Sequence, residues 1–160
     1  MKKAIFVLMA MVMTFGLLTG CGSDPVAEEL EKFLNTDMVG INAKYEDLKA
    51  EVGKWDNLED DAALVVSIND VILPNLDSSL ELLSKIQLQT EEVKEIKDKY
   101  QKVLEAYKEG YQSMQSAAEK GDTAAVEAAD AKIEEGVKLL DEYNKSVEDL
   151  AAEKDMTVEY

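Results

Sequence analysis

The sequence predicts an all-α fold, an antiparallel up-down-up-down four-helix bundle. Three observations predict it. Apolar residues recur at alternating steps of three and four along four stretches, the spacing of a bundle seam. Short clusters of cap and turn residues separate those stretches. The seams also face one another: in an antiparallel hairpin, opposed residues have numbers that add to a constant, and neighbouring stretches do this about midpoints that fall on the predicted turns.

The first predicted helix opens at Asp24 and Pro25, a good N-cap followed by the residue best suited to the first helical position. It runs to about Trp55 on a seam of Leu34, Met38, Ile41, Tyr45, Leu48, Val52 and Trp55, weakened locally by Gly40 and Gly53. Residues 56–61 are acidic and read as a turn. The second helix covers about residues 62–87, with Val65, Ile68, Ile72, Leu76, Ser79, Leu83 and Ile86 on its seam. Pro74 falls inside it and is expected to kink or break it, because proline removes a backbone donor and crowds the preceding turn. Residues 64–73 are rich in Val and Ile, so a strand competes there, but helical spacing on both sides favours helix.

The third helix begins after Thr90, a cap residue, with Glu91 and Glu92 complementing the helix dipole. Its seam is Val93, Ile96, Tyr100, Val103, Tyr107, Tyr111 and Met114. Gly121 is a natural stop and Asp122 a natural cap for the fourth helix. That helix uses Val126, Ala129, Ile133, Val137, Leu140, Tyr143, Val147 and Leu150. The third and fourth seams pair with numbers adding to 243, as Tyr100 with Tyr143 and Val103 with Leu140. The same construction puts Tyr45, Leu76, Val103 and Leu140 in one layer, and Tyr107 opposite Gly136. Helices of ~30 residues make the bundle ~45 Å long. The bundle domain is expected over residues 25–154, and residues 155–160 as a frayed tail.

Ahead of the bundle the chain carries an address. Lys2 and Lys3 precede a fifteen-residue run from position 4 to 18, broken only by Thr14 and Gly16. Positive start, short apolar run and small-residue cleavage site form a secretory signal peptide, over residues 1–20. The run is shorter than the ~20 residues of a membrane-spanning helix. Leu18-Thr19-Gly20-Cys21 resembles the lipobox of bacterial lipoproteins, and the resemblance covers about the first 23 residues. It implies that Leu18, Thr19 and Gly20 are read by a dedicated signal peptidase, and that Cys21 carries a thioether-linked diacylglycerol. Residues 21–24 are then a lipidated end and short linker. The chain would sit on the extracytoplasmic face of the bacterial cell membrane, held by its lipid.

Charge narrows the partners. Removing the leader leaves fifteen lysines against 34 acidic residues, a net charge of −19. Such a surface repels nucleic-acid phosphates and gains nothing from anionic lipid headgroups. All 17 basic residues are lysines. Cys21 is the only cysteine, so its acylation leaves no thiol for a disulfide or a thiolate metal site.

No residue set is assigned to catalysis, a cofactor or a metal. The chain has no histidine, which removes the commonest general base and metal ligand. Neither a glycine-rich phosphate loop nor an EF-hand pattern is present. Asp56, Glu59, Asp60, Asp61, Glu119 and Asp122 gather at one predicted end, where a weak divalent-cation site or a patch for a basic partner competes with helix capping; capping is preferred. Tyr100, Tyr107, Tyr111 and Tyr143 suggest an aromatic cleft, against which core packing is preferred. Val66, Leu73 and Leu80 form a second apolar stripe at intervals of seven on the second helix. That stripe is either a docking face for a protein partner or second copy, or the sign of a deeply buried helix. The functional expectation is a non-enzymatic interaction or accessory module, with a ligand-binding lipoprotein (small molecule, peptide or weak divalent cation) as the alternative.

Overall fold

The computed structural model describes residues 24–158, so the signal peptide and Cys21 lie outside the described residues. Within them the chain is helical, with no strand; the Val/Ile-rich stretch that competes for strand is helix.

Helix α1 spans Pro25–Lys32, its N-cap Asp24 accepting a hydrogen bond from the Val26 amide at 2.8 Å. A π-helical turn, Phe33–Asp37, links it to α2, Val39–Val52. The turn is closed by the Met38 amide, which donates five residues back to the Phe33 carbonyl at 3.0 Å. The additional residue in a π turn rotates the side chains of the later helix about its axis relative to those of the earlier one. Here it lets the adjacent Phe33 and Leu34 both be buried, while Val26 and Leu30 extend the buried face back to the start of α1. The single first helix expected from the seam is therefore segmented, ending in a 3₁₀ turn at Trp55–Asn57.

Helix α3, Asp61–Ser67, leads through a second π turn, Ile68–Ile72, into α4, Leu73–Lys85. The Leu73 amide donates to the Ile68 carbonyl across that turn. Pro74 follows at once, in the first turn of α4. The chain stays helical from Asp61 to Lys85, because the widened turn falls where proline would otherwise disrupt the ladder.

Helices α5, Glu91–Lys120, and α6, Thr123–Glu153, are long and uninterrupted. Gly121 stops α5 in the left-handed region at φ 63°, and the Asp122 carboxylate accepts from the Ala125 amide at 3.0 Å to start α6. The hairpin is antiparallel and in the expected register. The Tyr100 and Tyr143 rings lie 4.9 Å apart, and Tyr107 lies over Gly136. The contact of α5 with α6 is the most extensive among the described elements. Helix α4 packs on α2 and α5, and α1 and α3 also lie against α5. One apolar cluster runs through all of them.

Past Glu153 the chain does not simply trail away. Asp155 is left-handed at φ 54°, and the Met156 amide donates to the Ala151 carbonyl at 2.8 Å, closing the end of α6. Met156 and Val158 are half-buried against the core. Lys154 reaches Asp24 at 3.3 Å, so the end of α6 meets the beginning of α1.

Candidate functional site

The residues expected to share a layer meet around a small gap between the helices. Tyr45 from α2, Leu76 from α4, Val103 from α5 and Leu140 from α6 line a cavity of about 10 Å³. Tyr107, Ser79, Lys44 and Asn75 also line it. The packing explains how it arises. Tyr107 must swing over Gly136, where an added Cβ would come within 2.7 Å of the Tyr107 ring. A ring leaning that way fills the gap left by the missing side chain and carries its hydroxyl into the interior.

Burial decides the chemistry of these phenols. Tyr45 is 8 % exposed and Tyr107 1 %, and neither hydroxyl has a hydrogen-bond partner among the described residues. Removal from water pushes both phenols well above their usual range, and neighbouring tyrosines add to the shift. Tyr100, Tyr111 and Tyr143 are pushed up by the same cause. All five stay neutral across the biological pH range. Tyr100, Tyr107, Tyr111 and Tyr143 are thus core residues, the reading preferred over a cleft.

A second polar cluster is fully paired. The Trp55 indole N–H donates to Ser67 Oγ at 2.7 Å, and the Ser67 hydroxyl donates to Glu51 Oε1 at 2.7 Å. Lys54 closes the chain on Glu51 Oε2 at 2.6 Å. The ammonium of Lys54 first, then the Ser67 hydroxyl, holds the Glu51 carboxyl below its usual range. Trp55 meets Tyr111 edge to face at 5.8 Å. This cluster ties α2 to α3.

The other expected candidates separate. Val66 is 57 % exposed, whereas Leu73 and Leu80 are half-buried against the core, so the stripe divides between solvent and interior. Of the acidic residues, Asp60 caps α3 by accepting from the Ala63 amide at 2.9 Å, and Asp122 caps α6. Among the described residues no group of three or more carboxylates is placed to hold a metal ion. No helix among them is long and apolar enough to cross a membrane. Cys21, Leu18, Thr19 and Gly20 lie outside the described residues.

Two members of the cavity carried a signal in the sequence. Ser79 is a polar residue on an otherwise apolar seam, and Tyr45 is the aromatic of the first seam nearest its centre. The orphaned state of the hydroxyls had none, because it depends on how four helices abut. In comparisons with protein families, characterised proteins and solved structures, the chain matches none of them.

Proposed function

We propose that this chain is a lipid-anchored module on the extracytoplasmic face of a bacterial membrane, acting by non-enzymatic contact with a protein partner or a second copy. The carrying observation is the position of Leu18-Thr19-Gly20-Cys21: only Gly22 and Ser23 separate the cysteine from Asp24, the cap that starts the first helix. A lipid on Cys21 would hold the acidic domain at the surface without help from charge. We read the segments as an up-down-up-down bundle in which α1–α2 and α3–α4 each form one arm. In that reading the π turn before Pro74 is where the second arm bends.

The test replaces Cys21 by Ser in the full chain, followed by fatty-acid labelling and membrane fractionation. Labelling should vanish and the protein should leave the membrane fraction; continued labelling refutes the anchor. Cross-linking of the lipidated chain in its own membranes then reads out partners. The alternative is a ligand-binding lipoprotein. It is favoured by one observation, the small gap lined by Tyr45, Leu76, Val103, Tyr107 and Leu140.

A further inference from the structure

We propose that the end of the bundle formed by the α4–α5 loop and the residues after α6 is a seat for the membrane surface that carries the lipid. This rests on the reading of Cys21 as the anchor, and adds to it which face meets the bilayer. Only Gly22 and Ser23 separate Cys21 from Asp24. Even fully extended, that span cannot exceed about 11 Å. The fold fixes what surrounds Asp24. Lys154, at the end of α6, reaches it at 3.3 Å. Further along α1, Glu29 accepts from the amides of Gln89 and Thr90 at 2.6 and 2.7 Å. The tether therefore opens beside residues 86–90 and 154–158. Trp55 marks the opposite end: it meets Tyr111, and the rise along α5 from Glu91 to Tyr111 is about 30 Å.

Chemistry selects this end over the flanks. Ile86-Gln87-Leu88-Gln89-Thr90 carries no charge, and neither does Met156-Thr157-Val158. Ile86, Leu88, Met156 and Val158 are half-buried against the core, while Gln87, Gln89 and Thr157 are exposed. Charges beside them are turned to protein partners: Asp24 to Lys154, Glu29 to the two amides, and Lys97 to the Ile86 carbonyl at 2.9 Å. Glu28, Glu92 and Asp155 stay exposed at the margin. The flanks are more acidic. Glu95, Asp98 and Glu105 on α5, and Glu127, Glu134 and Glu142 on α6, are exposed along the length of the hairpin. Laying a flank on the bilayer would desolvate such carboxylates or press them against anionic headgroups. Standing on the uncharged end avoids both.

The experiment places the full lipidated chain in phosphatidylcholine vesicles with a nitroxide on the lipid headgroup, and reads tryptophan emission. Gln87→Trp, on the end face, should lose most of its added emission. Gln112→Trp, beside Tyr111, and the native Trp55 should keep theirs. Both substitutions fall on exposed glutamines, and circular dichroism checks that helix content is unchanged. A long Gly/Ser tether inserted after Ser23 should leave the quenching at position 87 in place, because the face itself seats. Full emission at position 87 with either tether overturns the proposal. Equal quenching at positions 87 and 112 also overturns it, since the bundle then lies flat. Flotation of the same vesicles separates seat from anchor: a chain that floats without quenching keeps its lipid and has no seat, whereas a chain that does not float refutes the anchor and the seat with it.

Discussion

Glycine side-chain space gives a sharp contrast at the scale of single residues. A Cβ on Gly136 would enter the Tyr107 ring at 2.7 Å, whereas one on Gly40 would meet only the end of the Leu82 side chain at 3.4 Å. Replacing glycine by alanine within a helix gains roughly 0.5–1 kcal/mol from backbone entropy. Overpacking a tight core costs roughly 1–3 kcal/mol. Gly40→Ala should therefore stabilise the protein slightly, while Gly136→Ala should lose about 1 kcal/mol or more in denaturant melts, the overpacking term winning. A smaller residue at position 107 should recover part of that loss, and strict additivity of the two changes would reject the contact as its cause. Glu29 gives a pH-dependent case. Partial burial pushes its carboxyl up, but the Thr90 hydroxyl and the amides of Thr90 and Gln89 outweigh this and leave it below the ordinary value of 4.5. A lowered folded value means stability that is present above the unfolded value and lost as pH falls through the folded one. The wild type should thus exceed Glu29→Gln in stability at pH 7, and the gap should shrink below about pH 4. A gap unchanged down to pH 3 would show that the carboxylate charge is irrelevant there. Thr90 stands at the N-cap of α5 without a side-chain cap hydrogen bond, and its hydroxyl donates to Glu29 instead.

Among the elements, the α5–α6 hairpin was almost wholly legible in the sequence and the first two arms only in outline. In α5 and α6 every turn is α-helical, so steps of three and four stay in phase from Val93 to Leu150. The stop at Gly121 and cap at Asp122 then depend only on local backbone chemistry. The two π turns break that phase. Neither Phe33–Asp37 nor Ile68–Ile72 has a composition that marks it, since a π turn is decided by which side chains must reach the core on either side. Pro74 announced a disturbance, but not that an inserted residue just before it would keep the chain helical. The tyrosine layer was legible because it rests on register, while its cavity was not, because it rests on the tilt of one ring. The second stripe of the Asp61–Lys85 arm divides by the same criterion, and mutations should divide with it. Val66→Lys, on an exposed side chain, should change stability by no more than about 0.5 kcal/mol. Leu73→Ala removes a side chain packed on the core and should cost about 2 kcal/mol, the low end for a leucine because half-burial leaves less to lose. Equal effects in chemical denaturation would show that the two positions share one environment. Reduced self-association in Val66→Lys alone would support a docking role for its surface.

The molecule as a whole is built from unequal parts. One side is a pair of helices of 30 and 31 residues in continuous contact; the other is four shorter segments separated by π turns and loops. Opening free energies follow the density of buried contact around each backbone hydrogen bond, so such a fold should not open uniformly. The amides of α5 and α6 around Tyr100, Tyr107 and Tyr143 sit behind the fullest packing and should exchange only through global unfolding. Those of the π turns depend on wider bonds, and those of α3 lie in a helix whose only fully buried member is Ser67. Helix α1 differs from α3, being tied at one end of the fold by Asp24 to Lys154 and by Glu29 to Thr90. Native-state hydrogen exchange should therefore rank α3 and the second π turn fastest, α1 intermediate and the hairpin slowest. Cutting the Asp24–Lys154 link with Lys154→Met should speed exchange in α1 and leave α3 unchanged. If all helices instead exchange at one common rate, the chain opens as a single cooperative unit, and the fully paired Trp55–Ser67–Glu51 cluster between α2 and α3 would be the first place to seek the cause.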